Sequence, residues 1–160
     1  MPAVLGVLAL SGACKADLPT ITDANQGLDA ACSGPFADLL VDVFPTSLAN
    51  GDAVLGAPDG MAVTLMANHI VTVGFIGLGG VTDASGTDLK IHATVASGAS
   101  AIVHVAASEM EFRYAGDLTP MINEVDVAVS DFTSAIYVRV INVTGTITVD
   151  SIEATHDACR

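Results

Sequence analysis

The residue types that could do chemistry are few and mostly acidic. Asp83 and Asp88 flank the turn sequence ASGT, and two carboxylates so close in sequence are a donor pair that suits a hard cation such as calcium. The spacing D-x-D-x-D-G of a helix-loop-helix calcium loop is absent, and a turn aspartate hydrogen-bonding its own backbone accounts for Asp83 and for Asp59 equally well. Arg139, in the segment YVRV, has the fork geometry to hold a carboxylate or a sugar hydroxyl, or else to pair with an acid on a neighbouring strand. Glu109 and Glu111 lie two apart and would share one face of a strand. The histidines His69, His92, His104 and His156 have no metal-ligand spacing. No G-x-S-x-G elbow, HExxH or G-x-x-x-x-G-K occurs, so nothing in the chain points to a hydrolase, a zinc protease or a nucleotide-binding enzyme. The run GLGG (77–80) is too short for a phosphate cradle and fits a hairpin turn.

Three cysteines remain to be placed: Cys14, Cys32 and Cys159. Residues 1–13, MPAVLGVLALSGA, form an uncharged apolar run of signal-peptide length that ends in small residues, too short to span a bilayer. Either Ala13 is the cleavage point of a secretory leader, or Cys14 is the lipid-modified first residue of a bacterial lipoprotein; a buried strand is the alternative to both. Residues 14–31 are polar and rich in turn formers, as a tether would be. Cys32 and Cys159 then bracket the remaining domain, residues 32–160. A Cys32–Cys159 disulfide would close a loop of more than a hundred residues, for which the chain-entropy model gives roughly 4–5 kcal/mol. Two free thiols are the alternative. No CxxC spacing supports a zinc site.

The elements that must position these groups are strands. Leu89-Ile91-Ala93-Val95 alternates with Asp88-Lys90-His92-Thr94; Met110-Phe112-Tyr114 alternates with Glu111-Arg113; Val125-Val127-Val129 alternates with Asp126-Ala128-Ser130. Each pattern predicts a half-buried strand with one wet face. Val71-Val73-Phe75, Val103-Val105 and the nearly continuous IYVRVINV (136–143) predict central strands. Turn sequences punctuate the runs: NGD at 50–52, PDG at 58–60, GLGG at 77–80, SG at 85–86 and 97–98, GD at 116–117, TG at 144–145. Short strands at this spacing without a helical stripe imply an all-β antiparallel sandwich or jelly roll.

Composition agrees. The 160 residues are 51% hydrophobic and 14% charged, too apolar for disorder. Eighteen acids against five bases, a formal net charge of −13, exclude a nucleic-acid or anionic-membrane surface. Aromatics are 4% with no Trp, so a flat sugar-stacking platform is not expected, while a loop pocket is.

The segments AVLGAPDG (53–60), VTL (63–65), IVTVGF (70–75), VTDASGTDLKIH (81–92), AIVHVAAS (101–108), MEFRYAG (110–116), EVDVAV (124–129), AIYVRVIN (135–142) and VDSIEA (149–154) follow one another in an order that resembles a domain of secreted and lipid-anchored bacterial surface proteins. The likeness covers residues 36–154. It departs from the usual pattern at Ser108-Glu109-Met110, where the family has an Asp-Gly turn, and at MANH (66–69), which lacks the family's glycines. The resemblance implies a galactose-binding-like jelly roll, and it adds Asp59, Asp150 and Glu153 to Asp83 and Asp88 as candidate calcium ligands. The expectation is a non-catalytic exported cell-surface domain for binding or adhesion, with carbohydrate or other surface proteins as partners, calcium as cofactor and a lipid anchor as its one membrane contact. The alternative is a structural subunit that self-assembles into a layer, fibre or sheath through exposed strand edges.

Overall fold

A computed structural model describes residues 34–156. Eleven strands alternate with two short 3-10 helices: β1 (Leu39–Phe44), η1 (Gly51–Val54), β2 (Val63–Met66), β3 (Ile70–Gly74), β4 (Val81–Thr82), β5 (Leu89–Val95), β6 (Ser100–Ala106), β7 (Arg113–Leu118), β8 (Glu124–Val125), η2 (Val127–Ser130), β9 (Ser134–Ala135), β10 (Tyr137–Thr144) and β11 (Thr146–Ala154). One sheet runs β1-β3-β10-β6-β7 and the other β2-β11-β5-β8; β4 and β9 form a separate two-stranded ribbon. Every pairing is antiparallel. This is the all-β sandwich that the period-2 pattern implies.

The core lies between the two larger sheets. Val71, Val73, Val103, Val105, Val138 and Val140 face Val63, Leu65, Leu89, Ile91, Ile147 and Val149 across it, and all twelve are fully buried. β-Branched side chains suit such a layer because their single preferred rotamer packs well on a pleated surface. Asn142 ties the layers together: from β10 its buried amide donates to the carbonyls of Leu65, on β2, and Gly145. That commitment removes the Asn-Val-Thr sequon it heads from the accessible surface.

The central positions of β3, β6 and β10 match expectation, and so does the alternation along β5. Two segments differ. Met110-Phe112-Tyr114 was expected to face inward, yet Met110 is 95% exposed, Tyr114 is 45% exposed, and Ala115 and Leu118 of β7 are the buried residues. The Gly116-Asp117 pair lies inside that strand rather than in a turn, where a glycine leaves room for the Val125 side chain. The Val125-Val127-Val129 strand stops after Val125, because the Asp126 carboxylate accepts from the Ala128 N–H at 2.8 Å and caps η2.

Cys14, Cys32 and Cys159, and with them the lipid attachment and the disulfide, lie outside the described residues. Within those residues the two ends of the domain run side by side: the Ala154 N–H donates to the Pro35 carbonyl, and the Ala37 N–H to that of Ile152.

Gly145 makes the turn from β10 to β11 with φ at +71°, and a Cβ there would stand 2.6 Å from the Cβ of Ala99. Gly145→Ala is therefore expected to lower stability by about 2 kcal/mol or more, through both the left-handed backbone and the overlap, read as a fall in melting temperature on a circular-dichroism melt. An unchanged melting temperature would contradict this account of the turn.

Candidate functional site

The five expected calcium ligands separate into three groups. Asp83 and Asp88 do come together, and Asp126 joins them: one carboxylate oxygen from each lies within 4.8 Å of the other two. Asp88 is fully buried. Its two oxygens accept from the N–H of Ala84 and of Val127, each at 2.9 Å. Burial raises its pKa above the usual carboxylate range; those two N–H groups oppose the rise, and the charges of Asp126 and Asp83 add to it.

Asp59 and Asp150 form the second group. Asp150 accepts from the backbone N–H of Asp59 at 3.2 Å and of Gly60 at 3.1 Å, while Asp59 accepts from the Met61 N–H at 2.8 Å. Glu153 is elsewhere again, paired with His92 at 2.7 Å. Among the described residues Asp83, Asp88 and Asp126 are the one group of three carboxylates close enough to share an ion, and Asp59, Asp150 and Glu153 do not join it. Asp126 was missed; its signal was an aspartate directly before a segment that could start a helix.

Asp150 lines a hollow of about 430 Å³ on the outer face of the β2-β11-β5-β8 sheet. It sits at the irregularity between Val149 and Ser151, where β11 carries one residue more than β5. A bulge of this kind re-aims a side chain, here toward the PDG turn. The floor is Thr148 and Thr94, which are register partners, and His92 closes one end with its ring held by Glu153. Pro58 and Gly60 form one wall. Asn123 forms the other, fixed because its carbonyl accepts from the Ile91 N–H at 2.8 Å. Apart from His92, no basic or aromatic residue lines the hollow.

Arg139 lies on the opposite outer face. The register places Asp42, Thr72, Arg139, His104 and Tyr114 in one row across the sheet β1-β3-β10-β6-β7. Its Nε donates to the Thr72 hydroxyl at 3.1 Å, and its Cζ stands 3.7 Å from the centroid of the Phe112 ring. The neighbouring-strand acid expected as one alternative is not there: among the described residues no carboxylate pairs with Arg139. Phe112 escaped the sequence pattern because its strand was read in the inward phase.

No protein-family model matches the chain, and no curated protein matches it. Among solved structures it is similar to the CBM32 of AlyQ in complex with 4,5-unsaturated mannuronic acid, at 11% identity and a TM-score of 0.45, over 76% of this chain and 98% of that one. It is similar also to a truncated AlyQ with CBM32 and alginate lyase domains, at 10% identity and a TM-score of 0.47, over 76% of this chain. The chain spans 33% of the length of that second protein. At such identities no side chain of either carries over to a position here.

His104, beside Arg139, has a pKa lowered by burial and, secondarily, by the guanidinium charge. A histidine depressed in the folded state leaves the unfolded chain binding more protons. Its effect on stability is absent above pH 6.5, the ordinary value, and grows as pH falls below it. The expected outcome is a proton-NMR titration of His104 with its midpoint below 6.5, moving up in Arg139→Gln. A midpoint at or above 6.5 would remove the stated cause.

Proposed function

We propose that the chain is a non-catalytic carbohydrate-binding domain that holds an uncharged sugar in the hollow on the β2-β11-β5-β8 sheet. The lining of that hollow carries the proposal. Sugar hydroxyls donate and accept at once, and the hollow offers both: the Thr94 and Thr148 hydroxyls and the Asn123 amide can do either, His92 supplies ring nitrogen, and Asp150 accepts. Pro58, Ala62 and Ala93 give small apolar surface for ring C–H groups. The volume is within the roughly 300–1,000 Å³ of small-ligand sites, and the lining has no lysine or arginine to hold an anion, its one basic side chain, His92, being bound to Glu153. The carboxylate that lines the hollow, Asp150, is engaged by two N–H groups, and His92 by Glu153, which favours binding over acid–base chemistry.

Thr94 and Thr148 test this cleanly, because Thr→Val keeps shape and removes the hydroxyl. Thr94→Val with Thr148→Val is expected to weaken binding of the best neutral hexose found on a glycan array by about tenfold or more, at roughly 1 kcal/mol for each lost bond, with little change in melting temperature. A blank array, or calorimetric affinities equal in variant and parent, would defeat the proposal.

Calcium dependence belongs to the same proposal, at Asp83, Asp88 and Asp126 in place of the wider set. A divalent cation would offset the burial that raises the Asp88 pKa and the smaller repulsion from Asp126 and Asp83. Calcium is expected to raise the melting temperature over a chelator control in the parent and not in Asp83→Asn; equal melts with and without calcium would end that part. Self-assembly through strand edges is less favoured, since a bulge between Leu40 and Asp42 interrupts the register of edge strand β1.

A further inference from the structure

In a chain with thirteen more acids than bases, an arginine without an acid is unexpected. Arg113, the comparison within the same fold, pairs with Glu111. Arg139 does not pair, although its side chain is held firmly. Thr72, fully buried, fixes the Nε edge, and the Phe112 ring supports one face of the guanidinium. The two terminal nitrogens have no partner among the described residues. On the β6 side stands His104, whose pKa burial and the guanidinium lower, then Tyr114, in edge contact with His104 at 6.4 Å and with the Asp117 carboxylate at its hydroxyl. Tyr137, two residues along β10, has its hydroxyl 3.5 Å from Glu109. Asp42 is in the same row but lies beyond Thr72, two strand spacings from Arg139, about 10 Å.

We propose that this face is a second binding site, for a ligand that carries a carboxylate. A guanidinium fork with one edge anchored and the other free is preorganised for a bidentate carboxylate. The half-exposed Tyr114 ring, two strand spacings away beyond His104, offers surface to a ligand that extends from that group across the sheet. The face differs chemically from the Thr94–Thr148 hollow, which has no lysine or arginine, and it stands or falls independently of that hollow.

Three probes separate the contributions by NMR titration of the full chain at constant ionic strength: sodium acetate for the carboxylate alone, sodium galacturonate for a carboxylate on a ring, and galactose for the ring alone. Acetate and galacturonate are expected to shift the Arg139 Nε–H and His104 ring signals, and galactose to leave them in place. Arg139→Lys keeps the charge but lacks the fork, and it should weaken galacturonate binding by about tenfold or more. Thr72→Val keeps Arg139 and releases its anchored edge, and it should weaken binding by a smaller factor. Thr94→Val with Thr148→Val should leave galacturonate binding unchanged. Galactose acting as strongly as galacturonate, equal affinity in Arg139→Lys, or no shift with either carboxylate at tens of millimolar would each overturn the proposal. The probe comparison needs only the parent protein, so a variant that fails to fold does not blunt it.

Discussion

The carboxylate of Asp88, sealed from water, is the point on which one end of the sandwich is assembled. Its oxygens accept from Ala84 on the preceding turn and from Val127 at the start of η2. Its own N–H donates to Val125 at the end of β8, and its carbonyl accepts from Thr155 just beyond β11. One residue thus gathers the entry to β5, the β8–η2 corner and the end of the chain's last strand. A neutral side chain without two acceptors would leave buried N–H groups unpaired, at about 1–3 kcal/mol each. The cost of keeping a buried charge is visible in the raised pKa, and the two N–H bonds are what keep it tolerable.

The same device recurs wherever a loop must be held. Asp38 accepts from the N–H of Ile76 and Gly77, Asp150 from Asp59 and Gly60, Asp59 from Met61, and Asp126 from Ala128. A chain with so few bases cannot neutralise its acids by ion pairs, and among the described residues Arg113 with Glu111 is the one pair of a guanidinium with a carboxylate, beside the His92–Glu153 contact. Backbone N–H groups in turns that no strand satisfies take that place. Much of the acidity is therefore spent on loop geometry, with the carboxylates serving as acceptors for the exposed backbone of a fold that is mostly turns and short strands.

This explains what could be read from the sequence and what could not. Period-2 runs located β3, β5, β6 and β10, because burial on one face leaves an alternation that survives in one dimension. The segment around Phe112 and Tyr114 shows the same alternation but in the opposite phase. Its apolar side chains serve the outer face, where Phe112 carries Arg139, and a pattern alone cannot say which side of a sheet is wet. The Val125–Val129 segment failed for a local reason, the Asp126 cap, which ended the strand against its valine content. The acid groups show the limit most clearly. Asp83 and Asp88 are close in sequence and lie together, but Asp126 reaches them only through the β5–β8 pairing, and Asp150 and Glu153, three apart, share the outer face only because a bulge falls between Val149 and Ser151.

Alternation also determines how the two outer faces relate to each other. On β10, Val138 and Val140 face the core on either side of Arg139; on β11, Ile147 and Val149 do so on either side of Thr148. Each surface group is thereby mounted between two residues locked by packing, so its position comes from the core rather than from a loop. The two faces share that core but no polar partner, and the groups that tune one, Thr72 and Phe112 for the guanidinium, Glu153 for the imidazole, have no bond to the other. Changes on one sheet should therefore add to changes on the other rather than couple with them, as distant sites without shared partners do. A sandwich can present two unlike surfaces, one hydroxylated with a carboxylate at its edge, one carrying a guanidinium and aromatic rings, because each sheet answers to its own strand register.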